Sequence, residues 1–443
     1  MSATINVRYI TFLACTAALG GLLFGFDIAI ITGAGPFIAR DFGLGDFQFG
    51  SVFSSLLFGC VFGSLAAGRL ADRFGRKRLL VLVAALFALA SIASAGAGSL
   101  SSLLVARFFG GLAVGGVSLL SPMYVAEVSP PSIRGRLGTL YQMSIVVGII
   151  ASYGINYLLR NVGTGNWRWM FLTGVLPSFV FFVFILLAPE SPRFLVVAGR
   201  PEDAFIVLEK IGGSAIAHTQ IAEITETLRI DREFKGSHLR PGVRRALIAS
   251  VCLAILIQVS GINTIIDYAP TIFLSARWGI DAALASTFFV GVTELIFSLV
   301  SLWTIDRYGR KPLYIVGSFG MALCLLGLVV TIITNRFYGV PVLTLIMIYL
   351  AFFSACIGPV FWTLIPEIFP NDVRGKAMAV PVFMQWLANA LVVLFFPFAF
   401  HAVGKVVTFG FLAAMCLCQG IFVMCYVPET KNKHLEEIEA YWG

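Results

Sequence analysis

Asp27 and Arg107 are charged residues set deep in long apolar runs, in Leu23-Phe24-Gly25-Phe26-Asp27 and Leu103-Leu104-Val105-Ala106-Arg107. A lone charge at the centre of a membrane helix costs roughly 2.5–3.5 kcal/mol on insertion scales, so such residues pair or face water. Their opposite signs make them natural partners. A carboxylate beside a guanidinium stays ionised; in a low-dielectric setting without it, the acid takes a proton. If motion separates the two, proton uptake and release become coupled to that motion. A permanent structural ion pair is the other reading, and the residues alone leave both open.

A second set could bind a hydroxyl-rich solute. Tyr141-Gln142 leads one apolar run. Gln258, Asn263 and Tyr268 share another, Trp362 follows Gly358-Pro359, and Gln385-Trp386 precedes Asn389. Amides offer both a donor and an acceptor to hydroxyls. Aromatic faces stack on the flat apolar face of a sugar ring. Taken singly, an amide in a membrane helix also serves as glue between helices, and a Trp also faces lipid. Glu294, in Gly-Val-Thr-Glu-Leu, is the sharpest case. It could accept hydroxyl bonds or bind the amine of an amino sugar. It could titrate as a second proton site. It could also be protonated and bond a neighbouring helix. Asp267 falls nearer the outer mouth, where water could solvate it.

The elements that must position these residues follow from composition. The chain has 443 residues, a mean hydropathy of +0.92 and 12% charged residues. Soluble domains carry roughly 25%. The bilayer must therefore be the main solvent, which leaves helices or a closed barrel. The apolar runs are about 20 residues or longer, the length of a membrane helix rather than a barrel strand. Spans are expected near 9–34, 47–70, 79–97, 101–124, 139–160, 168–188, 244–275, 282–305, 313–334, 341–366, 376–400 and 405–427. The long hydrophilic segment 189–243 reads as a linker with two or three short amphipathic helices, Ile221, Ile224 and Leu228 marking one apolar face. The expected organisation is a six-helix half over 1–188, the linker 189–243, a second six-helix half over 244–427 and a tail over 428–443.

The net charge of +8 matters less than where the charges lie. With the turn 68–78 in the cytoplasm, 24 of the 31 Lys and Arg fall on that side. Six fall outside (Arg40, Arg160, Arg168, Arg277, Arg336 and Lys405), and Arg107 is inside a span. The positive-inside rule then puts both termini in the cytoplasm, in a plasma or inner membrane. The eight Cys all lie in apolar runs without a Cys-x-x-Cys pair, and the four His have no ligand spacing. Neither a disulfide framework nor a metal site is indicated.

The halves repeat. The turn Asp72-Arg73-Phe74-Gly75-Arg76-Lys77 returns as Asp306-Arg307-Tyr308-Gly309-Arg310-Lys311. Glu127, followed by Arg134-Gly135-Arg136, returns as Glu367, followed by Arg374-Gly375-Lys376. Pro189-Glu190 returns as Pro428-Glu429. Parallel six-helix halves of this kind place a solute site at the midplane and open it by rocking one half on the other. With Pro189-Glu190-Ser191-Pro192-Arg193-Phe194-Leu195, Trp167-Arg168-Trp169-Met170 and Pro366-Glu367-Ile368-Phe369-Pro370, these turns make the whole chain resemble the sugar porter family of the major facilitator superfamily.

The resemblance implies an all-α integral membrane protein of twelve transmembrane helices in two pseudo-symmetric halves. It implies transport of a sugar or polyol by alternating access, and an Asp at position 27 points to proton symport. It implies solute contacts at Gln142, Gln258, Asn263, Tyr268, Glu294, Trp362, Gln385, Trp386 and Asn389, with Phe24 as a gating or stacking aromatic. It also implies a cytoplasmic latch of Asp72, Arg76, Glu127, Arg134 and Glu190 in one half and Asp306, Arg310, Glu367, Arg374 and Glu429 in the other. Bonds of that kind would form when the inner side is closed and favour the outward-open state. Plain positive-inside topology is the alternative for those charges. The chain departs from the family at Ile149, Ile257, Asp267 and Glu294, where two Gln, a Tyr and an Asn are usual. Two amide contacts are lost and two acids gained, which argues against ordinary glucose or xylose specificity.

The expected partners are a sugar or polyol, protons and the lipid bilayer, with no nucleic acid, no cofactor and a monomeric state. An uncoupled uniporter is one alternative. A membrane sugar sensor is another, although the 16-residue tail lacks the long extension common in sensors. An enzyme is not expected: the spans hold no nucleophile–base pair or metal cluster, and the glycines at 110–116 follow no strand. Close helix contact suits those glycines better.

Overall fold

The computed structural model describes residues 6–129, 134–233, 241–369 and 377–431. Among them the regular structure is helical, and no strand occurs. Twelve helices are long and apolar enough to cross a membrane: Val7–Phe42, Asp46–Phe74, Arg76–Ala95, Leu100–Val128, Leu140–Leu159, Asn166–Leu187, Gly242–Asp267, Ile280–Ile305, Arg310–Ile333, Gly339–Ile365, Ala379–Val403 and Lys405–Tyr426. They are called the first to twelfth spans below. The expected all-α architecture of twelve membrane helices is the one the chain adopts.

The first span outruns its apolar stretch. It has 36 residues and continues through Pro36 to Phe42. At about 1.5 Å per residue it is far longer than the hydrocarbon layer, about 30 Å thick. Three other spans are irregular where the candidate residues lie. The sixth is interrupted between Asn166–Leu172 and Val175–Leu187. The seventh breaks after Val259, with Gly261 left-handed at φ 90°, and resumes as Ile262–Asp267. The tenth holds Gly358-Pro359, a pair that often ends a helix. It instead stays helical, through a wider π turn over Phe353–Ile357 that leads into Gly358–Ile368. Pro359 has no N–H to give, and the widened turn accommodates its ring without ending the helix.

By contact the chain forms two compact units: Met1–Ile28, Gly59–Ser152 and Arg168–Ser237 in the first, and Ala29–Phe58, Tyr153–Trp167 and His238–Gly443 in the second. These are not the sequence halves. Residues 29–58 and 153–167, from the first, second and fifth spans, belong to the unit that holds spans seven to twelve.

In the first unit, glycines let helix backbones touch. A Cβ added at Gly59 would stand 2.2 Å from the Phe108 carbonyl oxygen, and one at Gly115 2.3 Å from that of Cys60. The second and fourth spans therefore pack backbone to backbone just beside Arg107, the close contact that small residues permit in membranes. The first and fifth spans meet the same way, at Gly25 against Ile145 and at Gly148 against Leu22. The linker helices Pro192–Val197, Pro201–Gly212 and Ser214–Glu233 complete this unit. Two of them start on Pro, which suits a first-turn position with no N–H to satisfy.

In the second unit, pieces from both halves of the sequence are packed together. A Cβ at Gly50 would lie 2.0 Å from the Leu394 carbonyl oxygen, so the second span rests directly on the eleventh. Phe49 and Phe53 of the second span close on Tyr268, with ring centroids 5.6 and 4.4 Å away. Ion pairs rim this contact. Arg160 Nε meets Asp281 Oδ1 at 2.5 Å, and His401 Nδ1 lies 2.7 Å from Asp46 Oδ1.

Candidate functional site

The membrane charges at 27 and 107 are brought together inside the first unit. Arg107 Nη1 donates to Asp27 Oδ1 at 2.7 Å, and Nη2 donates to the Asp27 backbone oxygen at 3.1 Å. The Arg107 side chain is only 2% exposed, while that of Asp27 is 14% exposed. The guanidinium also lies 5.2 Å from the centre of the Phe171 ring, a cation–π distance. Its Nε has no hydrogen-bond partner. The arginine is thus held mainly by the aspartate, and the aspartate keeps some access to the outside. Phe24 is one helical turn before Asp27 and is half-buried.

The two charged turns form near-identical networks, each within its own unit. In the first unit Gly75 has φ 94°, which lets the chain reverse between the second and third spans. Glu190 fills the space a side chain there would need, and its Oε1 accepts from Arg76 N at 2.9 Å and Lys77 N at 3.0 Å. It thereby satisfies two of the open N–H groups that start the third span, and its charge opposes the helix dipole. Arg76 Nη2 reaches Glu127 at 3.0 Å, and Nη1 lies 3.3 Å from Asp72. In the second unit Gly309 has φ 90°, and Glu429 accepts from Arg310 N at 3.1 Å and Lys311 N at 3.0 Å. Arg310 grips Glu367 with two nitrogens, Nε at 3.2 Å and Nη2 at 2.9 Å.

Seven of the ten expected latch residues are therefore in these networks. The side chains of Arg134 and Asp306, and all of Arg374, lie outside the described residues. Two members were missed at the sequence level. The Ser191 hydroxyl bonds Glu127, and the Thr430 hydroxyl donates to Glu367 at 2.6 Å. The signal was present: a hydroxyl residue follows each Pro-Glu pair, 239 positions apart like the pairs themselves.

The solute candidates divide by unit. Gln142 is exposed on the fifth span in the first unit, beside buried Tyr141. Phe24 is in the first unit as well, and the others are in the second. The break in the seventh span lets Asn263 Nδ2 donate to Gln258 Oε1 at 2.7 Å across five residues, which an unbroken helix would not favour. The Ser260 carbonyl freed by the break accepts from the Tyr349 hydroxyl at 3.2 Å. Neighbouring helices commonly rescue broken membrane backbone in this way. Gln385 and Asn389 are one turn apart on the eleventh span, flanking Trp386. Gln385 Oε1 is shielded from solvent without a partner.

Two candidates are placed differently. Tyr268 is 1% exposed, donates to the Val393 carbonyl at 2.9 Å and stacks on Phe396 at 5.2 Å. Its hydroxyl and ring are both committed to packing. Trp362 is 48% exposed, with its ring edge against Phe361. Glu294 sits midway along the eighth span, and its Oε2 is sealed from solvent without a hydrogen-bond partner. A shallow opening of about 350 Å³ lies elsewhere, lined by Phe37, Arg40, Arg160 and Asn166 among others. None of the solute candidates lines it, so it carries no weight for the site.

Comparison with known proteins agrees with this arrangement. Residues 13–442 match the family model described as "Sugar (and other) transporter". The arabinose-proton symporter of Bacillus subtilis is 38% identical over 449 residues, covering 99% of this chain and 96% of that protein. The D-xylose-proton symporter of Escherichia coli K12 is 36% identical over 480 residues, covering 100% and 97%. Among solved structures, the inward open conformation of the xylose transporter XylE from E. coli superimposes with a TM-score of 0.87 at 34% identity, over 98% of this chain and all of that one. The same symporter bound to 6-bromo-6-deoxy-D-glucose gives 0.82 at 34% identity, over 99% and 100%. With its twelve spans, repeated charged turns and buried Asp–Arg pair, this chain belongs to the family of sugar (and other) transporters.

Proposed function

We propose that the chain is a proton-coupled symporter of a sugar or polyol, working by alternating access as a monomer in the plasma membrane with both termini in the cytoplasm. The Asp27–Arg107 pair carries this reading. It is a close acid–base pair inside the membrane, with Arg107 buried and Asp27 partly accessible, and ionisable residues in membrane spans mark proton relays. The names of the arabinose and xylose relatives support it. Gln142, Gln258, Asn263, Gln385, Trp386 and Asn389 are the proposed solute contacts, with Phe24 as a gating aromatic. Tyr268 serves as a packed wall rather than a direct ligand. No cofactor is required for such a cycle.

The second unit joins pieces of both sequence halves through Gly50, Tyr268 and the Arg160–Asp281 and Asp46–His401 pairs. The charged turns act as clamps that keep the inner helix ends of each unit together, so that each moves as one body.

Uptake into proteoliposomes tests the proposal. Wild-type protein should accumulate a labelled solute from a sugar and polyol panel only with an inward proton gradient. Asp27→Asn should still exchange solute across the membrane and lose accumulation. Gradient-independent uptake by the wild type would leave a uniporter, and accumulation by Asp27→Asn would remove the coupling role.

A further inference from the structure

The two ion pairs that rim the contact in the second unit follow the repeat of the sequence. Asp46 opens the second span, and Asp281 is in the first turn of the matching helix, Ile280–Tyr308. They are 235 positions apart, against 234 for Asp72 and Asp306 at the other ends of the same two helices. Their partners match as well. Arg160 directly follows the fifth span, and His401 lies in the π turn Ala399–Val403 that ends the eleventh. These two are 241 positions apart, against 240 for Glu127 and Glu367.

The pairing crosses the repeat. Asp281 of the second sequence half takes Arg160 of the first, and Asp46 of the first takes His401 of the second. One acid–base motif is thus used twice, each time between halves. The bonds of the charged turns do the opposite. Arg76 holds Asp72 and Glu127, and Arg310 holds Glu367, each within one sequence half. Rocking one half on the other leaves bonds within a half intact and parts bonds between halves.

The cross-half bonds suit being made and broken. Arg160 is held ready: its Nη1 donates to the Tyr157 carbonyl at 2.6 Å, and its guanidinium lies 3.8 Å from the centre of the Tyr157 ring. Its side chain is 19% exposed, while that of Asp281 is 63% exposed and those of Asp46 and His401 are half-exposed. Water can therefore take over the bonds of the exposed groups when the pairs part. A fully buried pair could not separate so readily, because each charge would be left without a partner.

We propose that Arg160–Asp281 and Asp46–His401 form a reversible latch between the sequence halves, made when the helix ends opposite the charged turns are together and broken in each transport cycle. This rests on the transporter reading above. Each pair contributes little, as exposed pairs do, so the latch biases these ends toward closure without locking them.

Hydrogen–deuterium exchange on the purified protein in lipid nanodiscs tests the latch. Arg160→Asp faces Asp281 with a like charge. It should speed exchange about fivefold or more in peptides covering 46–53 and 268–281, and slow it in those covering 68–78 and 302–311, because opening one end closes the other. Combining Arg160→Asp with Asp281→Arg should return both sets to within about twofold of wild type. Asp46→Asn with Asp281→Asn should give the same opposed signs at about twofold, and decides the matter if Arg160→Asp does not fold. Faster exchange at both ends would reduce the pairs to ordinary stabilising contacts and overturn the latch. So would unchanged exchange at both. Opposed shifts in a protein that moves no solute into proteoliposomes keep the latch and overturn the transporter reading. A transporting protein without opposed shifts overturns the latch alone.

Discussion

The two charged turns share one sequence pattern and differ in burial. At the first, the Arg76 side chain is 7% exposed and Glu127 9%. At the second, Arg310 is 16% exposed and Glu367 31%. The bonding differs too. Arg76 divides its guanidinium between Glu127, the Ala71 carbonyl at 3.0 Å and Asp72. Arg310 places two nitrogens on Glu367. A repeated motif thus fixes which groups meet but leaves their surroundings free. The first turn is buried, and the second is half-open. Water can replace a lost partner at the second turn more readily than at the first.

The largest expected difference comes from removing each arginine. Arg76→Ala leaves Glu127 buried without its cation and should cost about 3–5 kcal/mol, the range for breaking a buried pair. Arg310→Ala leaves Glu367 a third exposed and still bonded by Thr430, so about 1–2 kcal/mol is expected. Thermal unfolding in detergent, followed by tryptophan fluorescence, reads the order directly. Equal losses would mean that burial does not separate the turns.

The turn glycines should give a smaller and more even pair of effects. Gly75 and Gly309 have φ 94° with ψ 162° and φ 90° with ψ 172°, a region that side chains strain to enter, at roughly 1–3 kcal/mol. Alanine at 75 would also press its Cβ to 2.3 Å from Glu190 Oε2, against 2.8 Å from Glu429 Oε2 at 309. Gly75→Ala is therefore the more damaging of two harmful changes. The same melts check it, and a harmless Gly75→Ala would show that Glu190 can move aside.

The smallest effect is expected at Asp72, which opens the repeated motif. Its side chain is 75% exposed and touches Arg76 only at 3.3 Å. Asp72→Asn should change stability by about 0.5 kcal/mol or less. A large loss there would assign the motif's aspartate a role beyond this contact.

Much of the fold was legible because membrane helices announce themselves locally. Length and apolarity mark each span without reference to its neighbours, and all twelve appear close to their expected places. Repetition made the turns legible, since the same residues at nearly one offset imply the same local structure. The candidate site was less readable. Tyr268 has the residue type of a solute ligand, yet Phe53, Phe396 and the Val393 carbonyl take up its ring and hydroxyl. Those partners come from the second and eleventh spans, more than a hundred residues away on either side. Ser191 and Thr430 went unnoticed because a hydroxyl carries no charge pattern of its own.

The sequence by itself determined the helical membrane class, the number of spans, the doubled architecture and the opposite charges of Asp27 and Arg107. Each follows from composition, run length or repeat, all of which are local or counted along the chain. Only the tertiary structure decided that Arg107 holds both the carboxylate and the backbone oxygen of Asp27, and that pieces of the first, second and fifth spans belong with spans seven to twelve. It alone left Glu294 Oε2 sealed from solvent without a hydrogen-bond partner. The reason is physical. Helix formation is driven by nearby residues and the solvent, whereas a side chain's partner depends on which helix faces arrive beside it.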